Sequence, residues 1–262
     1  MKHDVILVAK IFARAQAVME EHFHVHKLYE ASDRKAFLAK LAPTCRALAT
    51  FGGAGADASL MDALPKLGLI SHFGVGYDSV DVTAAHQRKI IVTNTPDVLN
   101  DCVADTAMGL TLNVLRKFPQ SENYLRSGFW ISRGGYPLTV SLHGKTMGII
   151  GLGRIGEAIA QRAQAHGMQI AYHNRRKKNV PYAYYADPVS LARAADVLMV
   201  VTPGGAETKH LINNQVLDAL GAQGFLVNIS RGSVVDEAAL LKHLQAGSIA
   251  GAGLRSEEHT SE

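Results

Sequence analysis

Short runs of β-branched and apolar residues alternate along the chain with stretches whose apolar positions recur at helical spacing. That alternation calls for a parallel sheet covered by helices. In the first part of the chain the predicted strands are residues 5–9, 23–29, 47–51, 67–73 and 90–93. The turn-forming Asn94-Thr95-Pro96-Asp97 then interrupts the pattern, and Asn100 or Asp101 stands ready to cap a long helix running to about Lys117. A hinge is therefore expected at residues 94–99. After a polar, glycine-containing segment at 127–135, strands are predicted at 146–150, 169–173, 197–201, 225–229 and 249–252, with helices at 155–166, 189–194 and 237–245. The reading is an α/β chain of two doubly wound parallel-sheet domains, residues 1–98 and 99–254. No fixed-period repeat or low-complexity tract is present.

Composition narrows the function classes. Hydrophobic residues make up 47% of the 262 residues, yet no run approaches the roughly 20 apolar residues of a membrane-spanning helix. The N-terminus enters a strand directly, so we expect a cytoplasmic protein with no signal peptide and no membrane partner. Cys45 and Cys102 are expected to be small, reduced core residues. The net charge of +4 comes from dispersed Lys and Arg, which gives no nucleic-acid surface. One basic tract is concentrated, Arg175-Arg176-Lys177-Lys178. His22, His24 and His26 alternate at strand spacing on one predicted face, and with no fourth ligand in view they are read as a polar strand face with no metal.

The strand at 146–150 leads directly into Gly151-Leu152-Gly153-Arg154-Ile155-Gly156, which opens a helix. GxGxxG alone is a weak signal. Between a buried strand and a helix, however, the three glycines serve distinct ends, namely a tight turn, close approach of backbone to a pyrophosphate, and helix-on-strand packing. The helix N-terminus then offers free N–H groups to the phosphates. At the end of the next strand a dinucleotide enzyme that uses NAD presents a carboxylate to the ribose 2′-hydroxyl. Here the residues are Asn174, Arg175 and Arg176. Asn174 does not repel a 2′-phosphate, and the two arginines are suited to bind one by charge-assisted hydrogen bonds. NADP(H) is expected to be preferred, with NAD(H) as the second possibility.

Several further segments carry a resemblance: Phe73-Gly74-Val75-Gly76-Tyr77-Asp78, Asn94-Thr95-Pro96-Asp97-Val98-Leu99, Gly144-Lys145-Thr146 and Asn228-Ile229-Ser230-Arg231-Gly232. Together with the phosphate loop they make residues 1–254 resemble the D-isomer-specific 2-hydroxyacid dehydrogenases, most closely the glyoxylate/hydroxypyruvate reductase branch. The resemblance implies a flavodoxin-like substrate domain, a Rossmann cofactor domain and an active site in the cleft between them. It assigns the backbone N–H groups of Val75 and Gly76 to the substrate carboxylate, with Gly52 and Gly53 lining the same pocket. Arg231, at the end of a predicted strand, becomes the guanidinium that grips the carboxylate and polarises the carbonyl. Thr202, Pro203 and Thr208 are implied to flank the cofactor's riboses, and Ile229 and Ser230 to contact the cofactor. A homodimer through the helix near 100–117 is implied as well.

The resemblance breaks after Gly253-Leu254. The family continues with an aspartate that holds the nicotinamide amide, then a glutamate, then the acid/base histidine; this chain continues Arg255-Ser256-Glu257-Glu258-His259-Thr260-Ser261-Glu262. That octapeptide resembles the in-frame translation of a sequencing adaptor. The expectation is a C-terminally shortened, inactive fragment whose parent carries the missing Glu and His, and none of the last eight residues is assigned to catalysis. The expected function of the parent is hydride transfer from NADPH to a small 2-oxo acid. A dinucleotide-sensing protein resembling corepressors of this fold, or a relative of formate dehydrogenases, are the competing readings.

Overall fold

The computed structural model describes residues 2–255, so the octapeptide expected to be a foreign tail lies, apart from Arg255, outside the described residues. Within the chain lie two compact units that meet in sequence at Val98 and Leu99.

The first unit is a five-stranded, wholly parallel sheet: β1 (Asp4–Leu7), β2 (His24–Lys27), β3 (Ala47–Phe51), β4 (Leu69–Phe73) and β5 (Ile91–Thr93), in the order β2-β1-β3-β4-β5. The order reverses between β1 and β3, and at such a switch point open α/β sheets take ligands beyond the strand ends. Inward residues Ile6, Leu48 and Ile70 are fully buried and pack with Leu38, Leu60 and Leu64. In β3 and β4 buried residues alternate with more exposed ones, so only one face of that part of the sheet is deeply covered. The covering helices start where an aspartate can cap them. Asp33, Asp57 and Asp81 each accept the N–H of the residue three positions on.

The second unit is a six-stranded parallel sheet: β6 (Thr146–Ile150), β7 (Gln169–His173), β8 (Ala183–Tyr184), β9 (Val197–Val200), β10 (Phe225–Asn228) and β11 (Gly251–Leu254), in the order β11-β10-β9-β6-β7-β8. Its switch point lies between β6 and β9. Strands β9 and β10 are buried along their whole length, as a sheet covered on both faces requires. One face packs against helices Asn100–Arg116 and Arg154–Ala165, the other against Pro188–Ala194, Asn214–Leu220 and Glu237–Gln245.

The doubly wound α/β reading therefore holds, with corrections of detail. The long helix begins after Leu99 with no side-chain cap, so neither Asn100 nor Asp101 caps it; both lie inside its first turn. Cys102 is exposed on that helix, whereas Cys45 is buried. His22 ends helix Ala13–His22, so only His24 and His26 share a strand, and His26 hydrogen-bonds the Asp4 carboxylate at 2.7 Å. The segment read as polar connection at 127–135 contains a short helix, Phe129–Arg133, bounded by Gly128 and Gly134 at positive φ. The last strand is Gly251–Leu254, two residues later than expected. Its glycines let the backbone approach the long helix: a Cβ on Gly253 would stand 3.0 Å from Val114.

Candidate functional site

In the second unit the phosphate loop takes its shape from three different demands on glycine. Gly151 has φ +98°, and an added Cβ would lie 3.0 Å from the Thr202 nitrogen and the Val201 carbonyl carbon, so the turn excludes any side chain. A Cβ on Gly156 would lie 2.7 Å from the Gly151 oxygen, which fixes close packing of the helix on the loop. A Cβ on Gly153 would meet nothing within 4 Å; this is the open side of the loop. Helix Arg154–Ala165 starts at Gly153 with no side-chain cap. Its first N–H groups and the positive end of its dipole face the open side, a cradle for an anion.

Asn174, directly after β7, braces this loop. Its Oδ1 accepts from the Leu152 N–H at 2.6 Å and its Nδ2 donates to the Leu152 carbonyl at 3.2 Å. Lys178 adds a further contact to the Leu152 carbonyl at 3.2 Å and an ion pair with Glu157. Arg175 and Arg176 both point outward. Arg175 Nη1 pairs with Glu207 at 2.8 Å, with side chains 88% and 81% exposed, so the pair is weak and screened. Arg176 has no ion-pair partner among the described residues. The edge is thus cationic and carries no carboxylate at position 174.

At the end of β9, Thr202 supplies its carbonyl to the Ser230 hydroxyl, while its own Oγ1 is buried with no hydrogen-bond partner among the described residues. A buried orphan hydroxyl at a strand's carboxyl end is what a bound polar ligand would satisfy. Thr208 donates to the Pro203 carbonyl at 2.8 Å and shapes the following loop. At the end of β10, the buried Asn228 clamps a tight turn: its Oδ1 accepts from Ser230 N–H at 3.0 Å and its Nδ2 donates to the Arg231 carbonyl at 2.9 Å. Ile229 is buried in the sheet core and links to β9 through the Val200 carbonyl at 3.2 Å. Arg231 and Arg255 both donate to the Ser230 carbonyl, at 3.1 and 3.0 Å. Desolvation, and then the like charge of Arg231, push the Arg255 pKa down.

In the first unit the loops after β3 and β4 are tied down from their carbonyl sides. Ser79 Oγ donates to the Gly52 carbonyl at 2.7 Å, Asn94 Nδ2 to the Val75 carbonyl at 2.9 Å, and Thr95 N–H to the Gly74 carbonyl at 3.0 Å. No hydrogen-bond acceptor stands against the Val75 or Gly76 N–H among the described residues. Gly52 and Gly53 are exposed, and a Cβ on either would meet nothing within 4 Å. Two N–H donors beside open backbone suit a small carboxylate.

The structure thus gathers Gly151–Gly156, Asn174–Arg176, Thr202–Thr208 and Ile229–Arg231 at the carboxyl edge of one sheet, and Gly52, Gly53, Val75 and Gly76 at the carboxyl edge of the other. Sequence reasoning assigned no role to Lys178, Glu207, Asn228 or Asn94; Lys178, Glu207 and Asn94 act through contacts distant in sequence, whereas Asn228 acts on the turn it opens. Asn94 and Asn228 had a signal in standing at the heads of their motifs and Lys178 in the basic tract, whereas Glu207 had none. The residues present fit a nicotinamide dinucleotide: an open glycine cradle, an uncapped helix end, a cationic ribose edge and an orphan hydroxyl.

Comparison with known proteins agrees with this geometry. Residues 108–259 match the family model described as D-isomer specific 2-hydroxyacid dehydrogenase, NAD binding domain. The chain is 44% identical to a hydroxyphenylpyruvate reductase of Plectranthus scutellarioides, over 95% of this chain and 80% of that protein. It is 41% identical to a glyoxylate/hydroxypyruvate reductase A of Arabidopsis thaliana, over 98% of this chain and 83% of the relative. Among solved structures, an NADPH-dependent glyoxylate/hydroxypyruvate reductase from Sinorhizobium meliloti, in complex with NADP and malonate, superposes with a TM-score of 0.92 at 45% identity, covering 100% of this chain and 82% of that one.

Proposed function

The chain belongs to the D-isomer specific 2-hydroxyacid dehydrogenases, and we propose that it binds NADPH and a small 2-oxo acid of the glyoxylate or hydroxypyruvate kind for reduction to the 2-hydroxy acid. The observation that carries this reading is that one carboxyl edge of the second sheet holds both the glycine cradle and Arg231. When bound, the nicotinamide would supply the hydride for the carbonyl carbon of the acid; the proton for its oxygen requires a general acid, and none of the described residues is assigned that part. On the second unit Arg231 is suited to hold a carboxylate and polarise a carbonyl, and on the first unit the Val75 and Gly76 N–H groups are suited to bind a carboxylate.

On the cofactor side, Gly151, Leu152, Gly153, Arg154, Ile155 and Gly156 wrap the pyrophosphate. Arg175 and Arg176 bind the 2′-phosphate, with Asn174 bracing the loop beside them; NADH, lacking that phosphate, binds more weakly. Thr202, Pro203, Thr208, Ile229 and Ser230 form the wall against the riboses. The relatives' activities favour reduction of a 2-oxo acid over the dinucleotide-sensing and formate readings.

We further propose a cytoplasmic homodimer. No helix among the described residues is long and apolar enough to cross a membrane. Helix Asn100–Arg116 spends its buried residues on its own unit, but the segment after it exposes Ile131 at 93% and Leu138 at 102%, an apolar arm suited to a second copy.

The test is calorimetric titration of glyoxylate into the protein saturated with NADP⁺, where the oxidised cofactor prevents turnover. Saturable binding that falls about tenfold or more in Arg231→Ala supports the reading. Absence of binding, or binding indifferent to Arg231, refutes it.

A further inference from the structure

Residues 174–178, which carry the basic tract, form no helix or strand, yet two tyrosine hydroxyls fix their path. Tyr172 in β7 and Tyr184 in β8 are register partners, so their side chains leave the same face of the sheet, with ring centroids 5.4 Å apart. Tyr172 is fully buried, and its hydroxyl both accepts from the Lys178 N–H at 2.8 Å and donates to the Lys178 carbonyl at 3.1 Å. Tyr184 Oη donates to the Asn174 carbonyl at 3.2 Å. Among the described residues, the backbone of 175–178 makes no hydrogen bond other than the two with Tyr172. Arg175, Arg176 and Lys177 are exposed between these two ties.

A phenylalanine at 172 would fill the same core space, so what the hydroxyl adds is the course of the segment above it. The side-chain anchors of the segment lie elsewhere: Asn174 and Lys178 both reach Leu152, and Lys178 pairs with Glu157. Those anchors hold the two ends and keep the loop folded without the hydroxyls. The tyrosines instead fix the backbone from which the arginines project, and a guanidinium already held in place loses less freedom on gripping a phosphate. Only a cofactor with a 2′-phosphate gains from that, because the ribose hydroxyl of NADH offers the arginines no anionic partner. We propose that the Tyr172 and Tyr184 hydroxyls are positioning groups that set the preference for NADPH over NADH by holding the backbone that presents Arg175 and Arg176. The proposal rests on the reading of those two arginines as the 2′-phosphate site.

The test compares the NADPH and NADH affinities of Tyr172→Phe, made both in the wild-type chain and in the Arg175→Ala/Arg176→Ala background. In the wild-type chain the ratio of the two affinities should fall about three- to tenfold, with NADH changed by less than about twofold. In the background without the arginines, Tyr172→Phe should leave the ratio unmoved, because the hydroxyl acts only through those side chains. A merely structural tyrosine would weaken both cofactors alike and lower the melting temperature without touching the ratio. Tyr184→Phe, which loses one bond instead of two, should give a smaller fall in the ratio, and it carries the comparison if Tyr172→Phe shows no cooperative melting transition. A ratio unmoved in the variants that fold, or a fall of equal size in both backgrounds, overturns the proposal while leaving the arginine site intact. If the Arg175→Ala/Arg176→Ala chain keeps the wild-type ratio, the reading on which the proposal rests fails, and the proposal with it.

Discussion

Asn174 closes its side-chain amide on the backbone of Leu152, accepting from the N–H at 2.6 Å and donating to the carbonyl at 3.2 Å. The residue we propose to stand beside the ribose therefore also holds the second residue of the glycine loop. On the proposed reading, support of the loop and choice of cofactor are joined in one side chain, and substitutions can separate them.

Asn174→Ala removes the brace without adding charge, so NADPH and NADH should weaken by a similar factor, about five- to tenfold. Asn174→Asp keeps the acceptor for Leu152 N–H but puts a negative charge beside the 2′-phosphate. NADPH should then lose roughly tenfold or more relative to NADH. Fluorescence titration of both cofactors against both variants checks this; an unchanged cofactor ratio in Asn174→Asp would refute it.

Arg175 is held by Glu207, whereas Arg176 has no ion-pair partner among the described residues. Losing one charge-assisted contact costs about 1.5–3 kcal/mol, so Arg176→Ala should weaken NADPH roughly ten- to hundredfold and leave NADH nearly unchanged. Glu207→Gln should strengthen NADPH binding by a factor of about two to five at low ionic strength, a gain that salt erases. A gain that persists at about 1 M salt would contradict the electrostatic account.

The phosphate-loop glycines should divide by readout. Gly153→Ala meets open space, so its melting temperature should stay near wild type while cofactor affinity falls. Gly156→Ala drives a Cβ to 2.7 Å from the Gly151 oxygen, so it should lose about 1–3 kcal/mol of stability as well as cofactor affinity. Equal melting temperatures for the two variants would show that the loop relaxes where the geometry says it is tight.

In the first unit the hydrogen bond from His26 is the main cause that holds the Asp4 carboxyl below its ordinary pKa, against an opposing desolvation. A depressed folded pKa stabilises the fold above the unfolded value of about 4, and that stability is lost as pH falls through the folded value. The difference in urea midpoint between the wild type and Asp4→Asn should therefore be largest near pH 6 and shrink towards pH 3. A difference that grows on acidification would reverse the sign and exclude the pair as its cause.

The alternating sheets and the glycine loop were legible because their causes are local. Gly151, Gly153 and Gly156 carry their roles in their spacing, and helix Glu237–Gln245 matches the predicted span because Asp236 caps it and its apolar period is regular. What escaped depends on contacts between distant residues. Lys178 reaches back to Leu152, and Glu207 reaches Arg175 from another loop; neither spacing nor composition encodes those meetings. Helix Phe129–Arg133 spans five residues, too few for a period to register, and two-residue β8 is shorter still. Cys102 was misplaced because a helix turns only one stripe inward, and its side chain falls off the stripe formed by Ala104, Ala107, Met108 and Thr111.

The most direct measurement is calorimetric titration of NADPH and NADH against the same preparation, with the Arg175→Ala/Arg176→Ala double variant alongside. The account predicts that the wild type binds NADPH about ten- to hundredfold more tightly and that the double variant loses this preference by weakening NADPH alone. Equal affinities in the wild type, or a preference that survives removal of both arginines, would contradict it.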